Sequence, residues 1–417
     1  MSELKVGAGK ACIDPADDMY PMVTHFGVCE SKYDSCYCRA VAIFDGQKQL
    51  LLVVFDLSDM PCIPDLWGEI AGAVGVSKED IVLAVTHNHS SPNDSKIDST
   101  PGERELGERY KQIELQGAVD ACKQALASMR PAVCGYGECS SEINVNRNYQ
   151  TRLGQWVEAP NDKGYSDKTL AMIKFTDCEG KLIAAVLNHG THANHIFLQK
   201  DSDGKRKLSG NFPGITCRLL EEYYGNDSVV VWTSSAAGDQ NPVMVHGAFL
   251  EKPSGQYTQI AYPDGTGYLQ MEVIGHRHAV DALKGLEEIH TFSENMKMKH
   301  VKRKIFIPAQ KYAEEAKAYV EDDEHPVSLY MELLLLGDIA VICVGAELYS
   351  RLGRQIKELS PYKKTLILTH THYHIGYIFD RASADIKLPQ AFGRIKPGGA
   401  DEAIMDCVKE MFREIAD

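Results

Sequence analysis

Short apolar runs separated by turn residues recur along the whole chain. Residues 40–44 and 50–55 form two such runs around Asp45-Gly46, a dipeptide that favours tight hairpins. Over 63–74, Trp67, Ile70 and Val74 fall at helical spacing. Ser77 and Asp80 lead into 81–85, apolar at every position and therefore readable as a buried strand, and Thr86-His87-Asn88-His89-Ser90-Ser91-Pro92 follows at once. The same order returns near the other end: strand patterns over 330–336 and 339–344 around Gly337-Asp338, a helix pattern over 347–359, a strand over 365–368, then Thr369-His370-Thr371-His372. Each stretch reads hairpin, helix, strand, Thr-His-x-His. A helical crossover joins parallel strands, so the last strand of each is expected beside a parallel neighbour. The pattern predicts an α/β fold, a layered mixed-sheet domain with a pseudo-two-fold internal repeat whose strand ends converge on one site.

Between these stretches, 170–175 and 182–187 read as strands around Cys178-Glu179-Gly180. Phe212-Pro213-Gly214 opens a helix running to Tyr224, with proline in its first turn. A strand over 229–232 ends at Ser234-Ser235-Ala236-Ala237-Gly238-Asp239-Gln240-Asn241-Pro242. Residues 247–267, with Pro253, Gly255, Pro263 and Gly265, are expected to form an irregular lid or wall loop. In 401–417, Ile404, Val408, Met411 and Phe412 lie at helical spacing and predict a helix packed on the core. No low-complexity linker interrupts the chain, so one domain over 1–417 is expected, with intimately packed halves 1–290 and 291–417 as the alternative.

Composition narrows the partners. A net charge of −14, from 58 acidic and 44 basic residues, argues against nucleic acid and anionic membrane surfaces, both of which need a basic face. A small-molecule substrate is expected; a homo-oligomer is compatible with all of this. The start of the chain lacks an apolar signal core and no apolar run is long enough to span a bilayer, which points to a cytoplasmic protein. The 12 cysteines then read as reduced thiols, and Cys36 and Cys38 as two thiols on one strand face.

Chemistry concentrates in histidine. Eight of the 15 histidines sit in three windows: His87 and His89; His189, His192 and His195; His370, His372 and His374. Each window follows a strand pattern, where sites on α/β scaffolds form, and imidazole is the commonest ligand of zinc-like metals. His87 and His192 are the leading metal candidates. Glu347 occupies the end of the second hairpin as Asp56 does the first; it is a ligand or a helix N-terminal acid. Asp239, in a turn where Gly238 allows close approach to a ligand, is a proton acceptor or a cap. Arg147, in Asn144-Val145-Asn146-Arg147-Asn148, could polarise a carbonyl or lie solvated at the surface.

In order along the chain, Val6-Gly7-Ala8-Gly9, the segment 86–92, the segment 144–148, Asn188-His189-Gly190-Thr191-His192, Gly238-Asp239-Gln240-Asn241-Pro242, Gly345-Ala346-Glu347 and Gly376-Tyr377-Ile378 resemble the neutral/alkaline non-lysosomal ceramidase family. The resemblance implies a zinc ion held by His87, His192, Glu347 and Tyr377, with His89 close to the metal and Arg147 orienting the scissile carbonyl. His374 stands where the family has another tyrosine and is the alternative fourth ligand; His370 and His372 are rivals. Where the family carries its serine, in Gly-Asp-x-Ser-Pro, this chain has Asn241, and an amide cannot act as that nucleophile.

Together these readings predict a zinc-dependent hydrolase, with another divalent metal as the alternative, acting on a small polar substrate rather than long-chain ceramide. The bond is an amide, ester, lactone or glycosidic link. Asp239 or His89 would be the general base, Arg147 the oxyanion partner and Asn241 a substrate-binding group. Two other classes stay open: a metal-dependent lyase or isomerase on a sugar-like or hydroxy-acid substrate, and a non-catalytic metal-dependent binding protein.

Overall fold

The computed structural model describes residues 3–24, 27–94, 100–196, 198–245, 247–294 and 296–416; Met1, Ser2 and Asp417, from the terminal segments considered above, lie outside the described residues. The first strand, β1 (Lys5–Cys12), pairs antiparallel with β2 (Tyr37–Phe44), which turns through 45–48 into β3 (Gln49–Phe55). Helix α1 (Leu66–Val74) crosses over to β4 (Ile81–Val85), which pairs parallel with β3, as expected of a helical crossover. Helix α2 (Pro101–Ala127) then lies across β1 so closely that a Cβ at Gly7 would overlap the Ala125 carbonyl oxygen. That contact accounts for glycine in the Val-Gly-Ala-Gly segment.

Strand β5 (Arg130–Ser140) joins the other edge of β1. A side layer of β6 (Asn144–Gln150) and β7 (Trp156–Asn161) follows. The main sheet resumes with β8 (Thr169–Asp177) and β9 (Leu182–His189), and α3 (Asn211–Tyr224) crosses to β10 (Val229–Ser234). Its strand order is β10-β9-β8-β5-β1-β2-β3-β4, with the short strand Phe292–Ser293 also on β5. Beyond β10, β11 (Gln240–Pro242) extends the side layer along β6.

The stretch 247–267, expected to be irregular, is instead the hairpin β12 (Gly247–Glu251) and β13 (Tyr257–Ala261), followed by the start of α4 (Thr266–Glu287). A turn closed by Lys252 and Gln256 lets the exposed strands pair, so proline and glycine mark the corners rather than the whole segment.

A second sheet holds β14 (Met298–Ile307), β15 (Val327–Leu336) and β16 (Ile339–Val344). The chain then forms β17 (Glu347–Leu348), α5 (Ser350–Leu359), β18 (Lys364–Thr369), β19 (Tyr377–Ile378) and α6 (Ala400–Ala416). β15 and β16 are antiparallel, and β18 lies parallel to β16. The helix expected from residue 347 starts only at Ser350, because β17 first pairs with β19.

The two sheets face one another. Val41, Ile43, Leu50 and Val82 of the large sheet share one buried cluster with Leu334, Leu336, Val341 and Leu366 of the small one. The outer face of the large sheet is covered by α1 to α4, that of the small sheet by α5 and α6. The chain is thus a mixed α/β fold in four layers, helix, sheet, sheet, helix. All 12 cysteines are free, and Cys36 and Cys38 are both buried in the cluster under α2. No described helix is long and apolar enough to cross a membrane.

Candidate metal centre

The site lies where β4, β9 and β18 end side by side. The loops beyond them are stitched by backbone hydrogen bonds: Val85 N donates to His370 O at 3.3 Å, and His89 N donates to Ala193 O at 3.0 Å. The two Thr-His-x-His segments therefore meet. His87 and His370 both adopt φ of 56°, and their rings stack with centroids 3.9 Å apart and planes 13° apart.

Of the eight clustered histidines, five converge. His87 Nε2 lies 3.1 Å from His89 Nε2 and 3.5 Å from Glu347 Oε2. His192 Nε2 lies 2.9 Å from Glu347 Oε2, and His374 Nε2 lies 2.8 Å from Glu347 Oε1. Ligand atoms of His87, His89 and His192 fall within 4.8 Å of one another, as do those of His87, Glu347 and His370. The other three histidines point elsewhere. His189 Nδ1 donates to Thr169 O, and His195 Nδ1 faces Asn211 Oδ1. His372 leaves on the far side of its loop, where Glu332 meets its Nε2 at 2.5 Å and its ring stacks between Trp67 and Tyr330. As a rival ligand, His372 is excluded by this geometry; positive φ at His370 and His372 breaks the alternation of an extended chain.

Backbone carbonyls set the tautomers. His87 Nδ1 donates to Ser58 O at 2.9 Å and His192 Nδ1 to Gln240 O at 3.0 Å. The single proton of each neutral ring is thereby committed, leaving a lone pair on Nε2. Burial, reinforced by the nearby Arg147 charge, pushes His192 down to about 4, so it is neutral at ordinary pH. Burial alone would raise Glu347, yet His87, His192 and His374 hold its carboxyl well below the usual range. With the Nδ1 proton spent on a carbonyl, a carboxylate oxygen 2.9 Å from His192 Nε2 calls for positive charge between them, a second proton or a metal ion. The donor set, oxygen and imidazole nitrogen converging with lone pairs inward, fits a zinc-like ion.

Glu347 is carried by β17, whose register pairs it with Tyr377 of β19, so both side chains leave on the same side. Tyr377 accepts a hydrogen bond from Arg147 Nη2 at 3.0 Å. Asp56, the corresponding acid of the first hairpin, is absent from the cluster: its carboxylate is held by Arg39 at 2.6 Å.

Arg147 is only 3 % exposed, which removes the solvated reading. Its guanidinium donates to Gly238 O, Tyr377, Asn241 Oδ1 and Glu158. Asn241 also accepts from Asn194 and donates to Glu158 at 3.1 Å, so its carbonyl and one of its two amide hydrogens are engaged. Asp239 accepts from Ser350 N at 2.7 Å, Ser350 Oγ and Asn146. It caps α5, and burial pushes its carboxyl up to about 6. Gly238 permits close approach, but to the chain itself: a Cβ there would lie 2.9 Å from Glu347 O.

The sequence reading missed Glu158, Asn194 and Ser58. Glu158 sits in an alternating strand where an acid reads as solvent-facing, and Ser58 contributes only a carbonyl, which no side-chain pattern reveals. Asn194 was visible, lying between His192 and His195.

No family model and no curated protein matches the chain. Solved structures do. Neutral ceramidase from Pseudomonas aeruginosa superposes with a TM-score of 0.74 at 14% identity, over 100% of this chain and 75% of that one. A ceramidase complexed with C2 gives a TM-score of 0.71 at 14% identity, over 99% and 76%. The chain therefore has a ceramidase-like fold.

Proposed function

We propose that this chain is a zinc-dependent hydrolase acting on a small polar substrate. The observation that carries the reading is the convergence of His87 Nε2 and His192 Nε2 on Glu347 Oε2, at 3.5 and 2.9 Å, by two rings whose Nδ1 atoms both donate to backbone carbonyls. His87, His192 and Glu347 would hold the ion, with Tyr377 in the fourth position that the ceramidase resemblance implies. Bound there, zinc would supply Lewis acidity and a water of near-neutral pKa.

The protein side chains divide the remaining work. Ser58 O and Gln240 O hold His87 and His192 in the tautomer that presents Nε2. Burial and the Glu347 charge push the Tyr377 phenol up, and Arg147, donating to its hydroxyl, opposes that push. The same guanidinium stands behind the position of a developing oxyanion. His89, whose Nε2 lies 3.1 Å from His87 Nε2, is the proton acceptor in preference to Asp239, whose oxygens are taken by α5 and Asn146. Asn241, held by Arg147, Asn194 and Glu158, presents a rigid polar wall and cannot attack.

The small-substrate reading draws support from that wall and from the absence of any membrane-spanning helix among the described residues. The test is turnover of a panel of short-chain N-acyl amines, esters and lactones by purified protein in 18O-water. The expected result is zinc-dependent hydrolysis with solvent oxygen in the product, lost on chelation and restored by zinc. Full turnover in chelated protein rejects the metal; conversion without solvent oxygen rejects hydrolysis and favours a lyase or isomerase.

A further inference from the structure

The cluster holds more donors than one zinc ion uses. A zinc site takes four ligands, and here six histidine and carboxylate side chains converge before Tyr377 is counted: His87, His89, His192, His370, His374 and Glu347. They are divided by Glu347. Its Oε2 faces His87 and His192, at 3.5 and 2.9 Å, while its Oε1 faces His374 at 2.8 Å. His370 comes from the same loop as His374, with ring centroids 5.4 Å apart; its ring stacks on that of His87 at 3.9 Å, and it shares with Glu347 and His87 a ligand-atom cluster within 4.8 Å.

His370 is also unexplained by the single-ion reading. It is 1 % exposed, yet its buried Nδ1 has no hydrogen-bond partner. An imidazole nitrogen so placed loses its hydration and gains nothing unless a ligand meets it. His374 has a carboxylate behind it: Asp59 Oδ1 lies 3.7 Å from its Nδ1, outside hydrogen-bond distance but close enough for its charge to act on the ring.

We infer that the site is dinuclear: Glu347 bridges two divalent cations, the first held through Oε2 with His87 and His192, the second through Oε1 with His370 and His374. A bridging carboxylate and two ions about 3.5–4 Å apart are the hallmark of co-catalytic hydrolytic centres. The inference rests on the metal reading above and extends it by one ion. It gives a role to both histidines of the second loop that face inward, and it makes the two Thr-His-x-His loops supply one ion each.

Metal content decides it. Full-length protein is stripped with a chelator and titrated with Zn2+ by calorimetry, with the bound zinc counted by plasma emission. Two equivalents per chain are expected, falling to one in His370→Ala/His374→Ala, with the circular dichroism spectrum unchanged. Co2+-substituted protein should show exchange-coupled spins that vanish in the double variant. One equivalent at saturation in the parent protein overturns the inference and leaves the proposed function standing. No bound zinc in the parent overturns both. Two equivalents persisting in the double variant place the second ion elsewhere and also overturn it. The parent count is decisive even where the variant misfolds.

Discussion

Removing one imidazole separates a metal centre from a knot of hydrogen-bonded side chains. His192→Ala deletes the ring that faces Glu347 at 2.9 Å. Zinc affinity should fall by at least 100-fold in a chelator-competition titration, while the metal-free protein melts within a few degrees of the parent. An unchanged affinity would remove His192 from the ion. Glu332 offers a second residue-scale test, in pH. Burial would raise its carboxyl, but hydrogen bonds from His300 and His372 hold it down at about 2. A depressed carboxyl stabilises the fold above its unfolded pKa and loses that contribution as pH falls. The window runs from roughly pH 4.5 down to 2, and the contribution is on the order of 3 kcal/mol for this buried group. Glu332→Gln should flatten the acid limb of urea-denaturation stability by about that amount.

Elements bring these residues together through contacts that side-chain patterns do not show. The amino end of α5 is tied to the β10–β11 turn by Asp239, which accepts from Ser350 N. Its carboxyl, pushed up to about 6 by burial, works in the opposite sense to Glu332: the folded state holds the proton more tightly, so stability falls as pH rises from about 4 through 6. Asp239→Asn should abolish that slope, and Asp239→Ala should cost about 1–2 kcal/mol through the lost cap, both read from denaturation at fixed pH. At the end of β3, Asp56 is committed to Arg39, itself also facing Glu221 at 3.4 Å, and all three are buried. Arg39→Met would leave the buried Asp56 carboxylate without its cation, while Glu221 keeps Lys10, and should destabilise by about 3–5 kcal/mol in urea denaturation. The hairpin, helix, strand order of both Thr-His-x-His stretches, and the parallel pairing of their last strands, are alike; their terminal acids are used differently.

Across the whole molecule, the sheets are held by one shared core. Leu366, fully buried, packs in the same cluster as Val41 and Val82 of the opposite sheet. Leu366→Ala should cost about 2–5 kcal/mol and shift a single calorimetric transition, since neither sheet can keep that face buried alone. Two separable transitions would instead favour the halves 1–290 and 291–417 as units.

The α/β class, the two hairpins, the crossover helices and the histidine loops were legible in the amino-acid sequence, because apolar periodicity and turn chemistry are local properties. Helix α2 was equally announced by Thr100, Pro101 and Glu103, whose capping box the structure shows, but its weakly apolar sequence drew no attention. Local pattern could propose eight histidines; it could not choose among them. Whether His87, His370 and His374 face inward while His372 turns away to Glu332 depends on left-handed backbone at loop positions and on partners more than 25 residues distant in sequence. The same holds for Asp239, whose carboxylate is spent on a helix end 111 residues further along. Residue type and spacing determined which groups were available for chemistry; only packing between sheets decided which of them share a site, because convergence is a property of distances between elements and not of order along the chain.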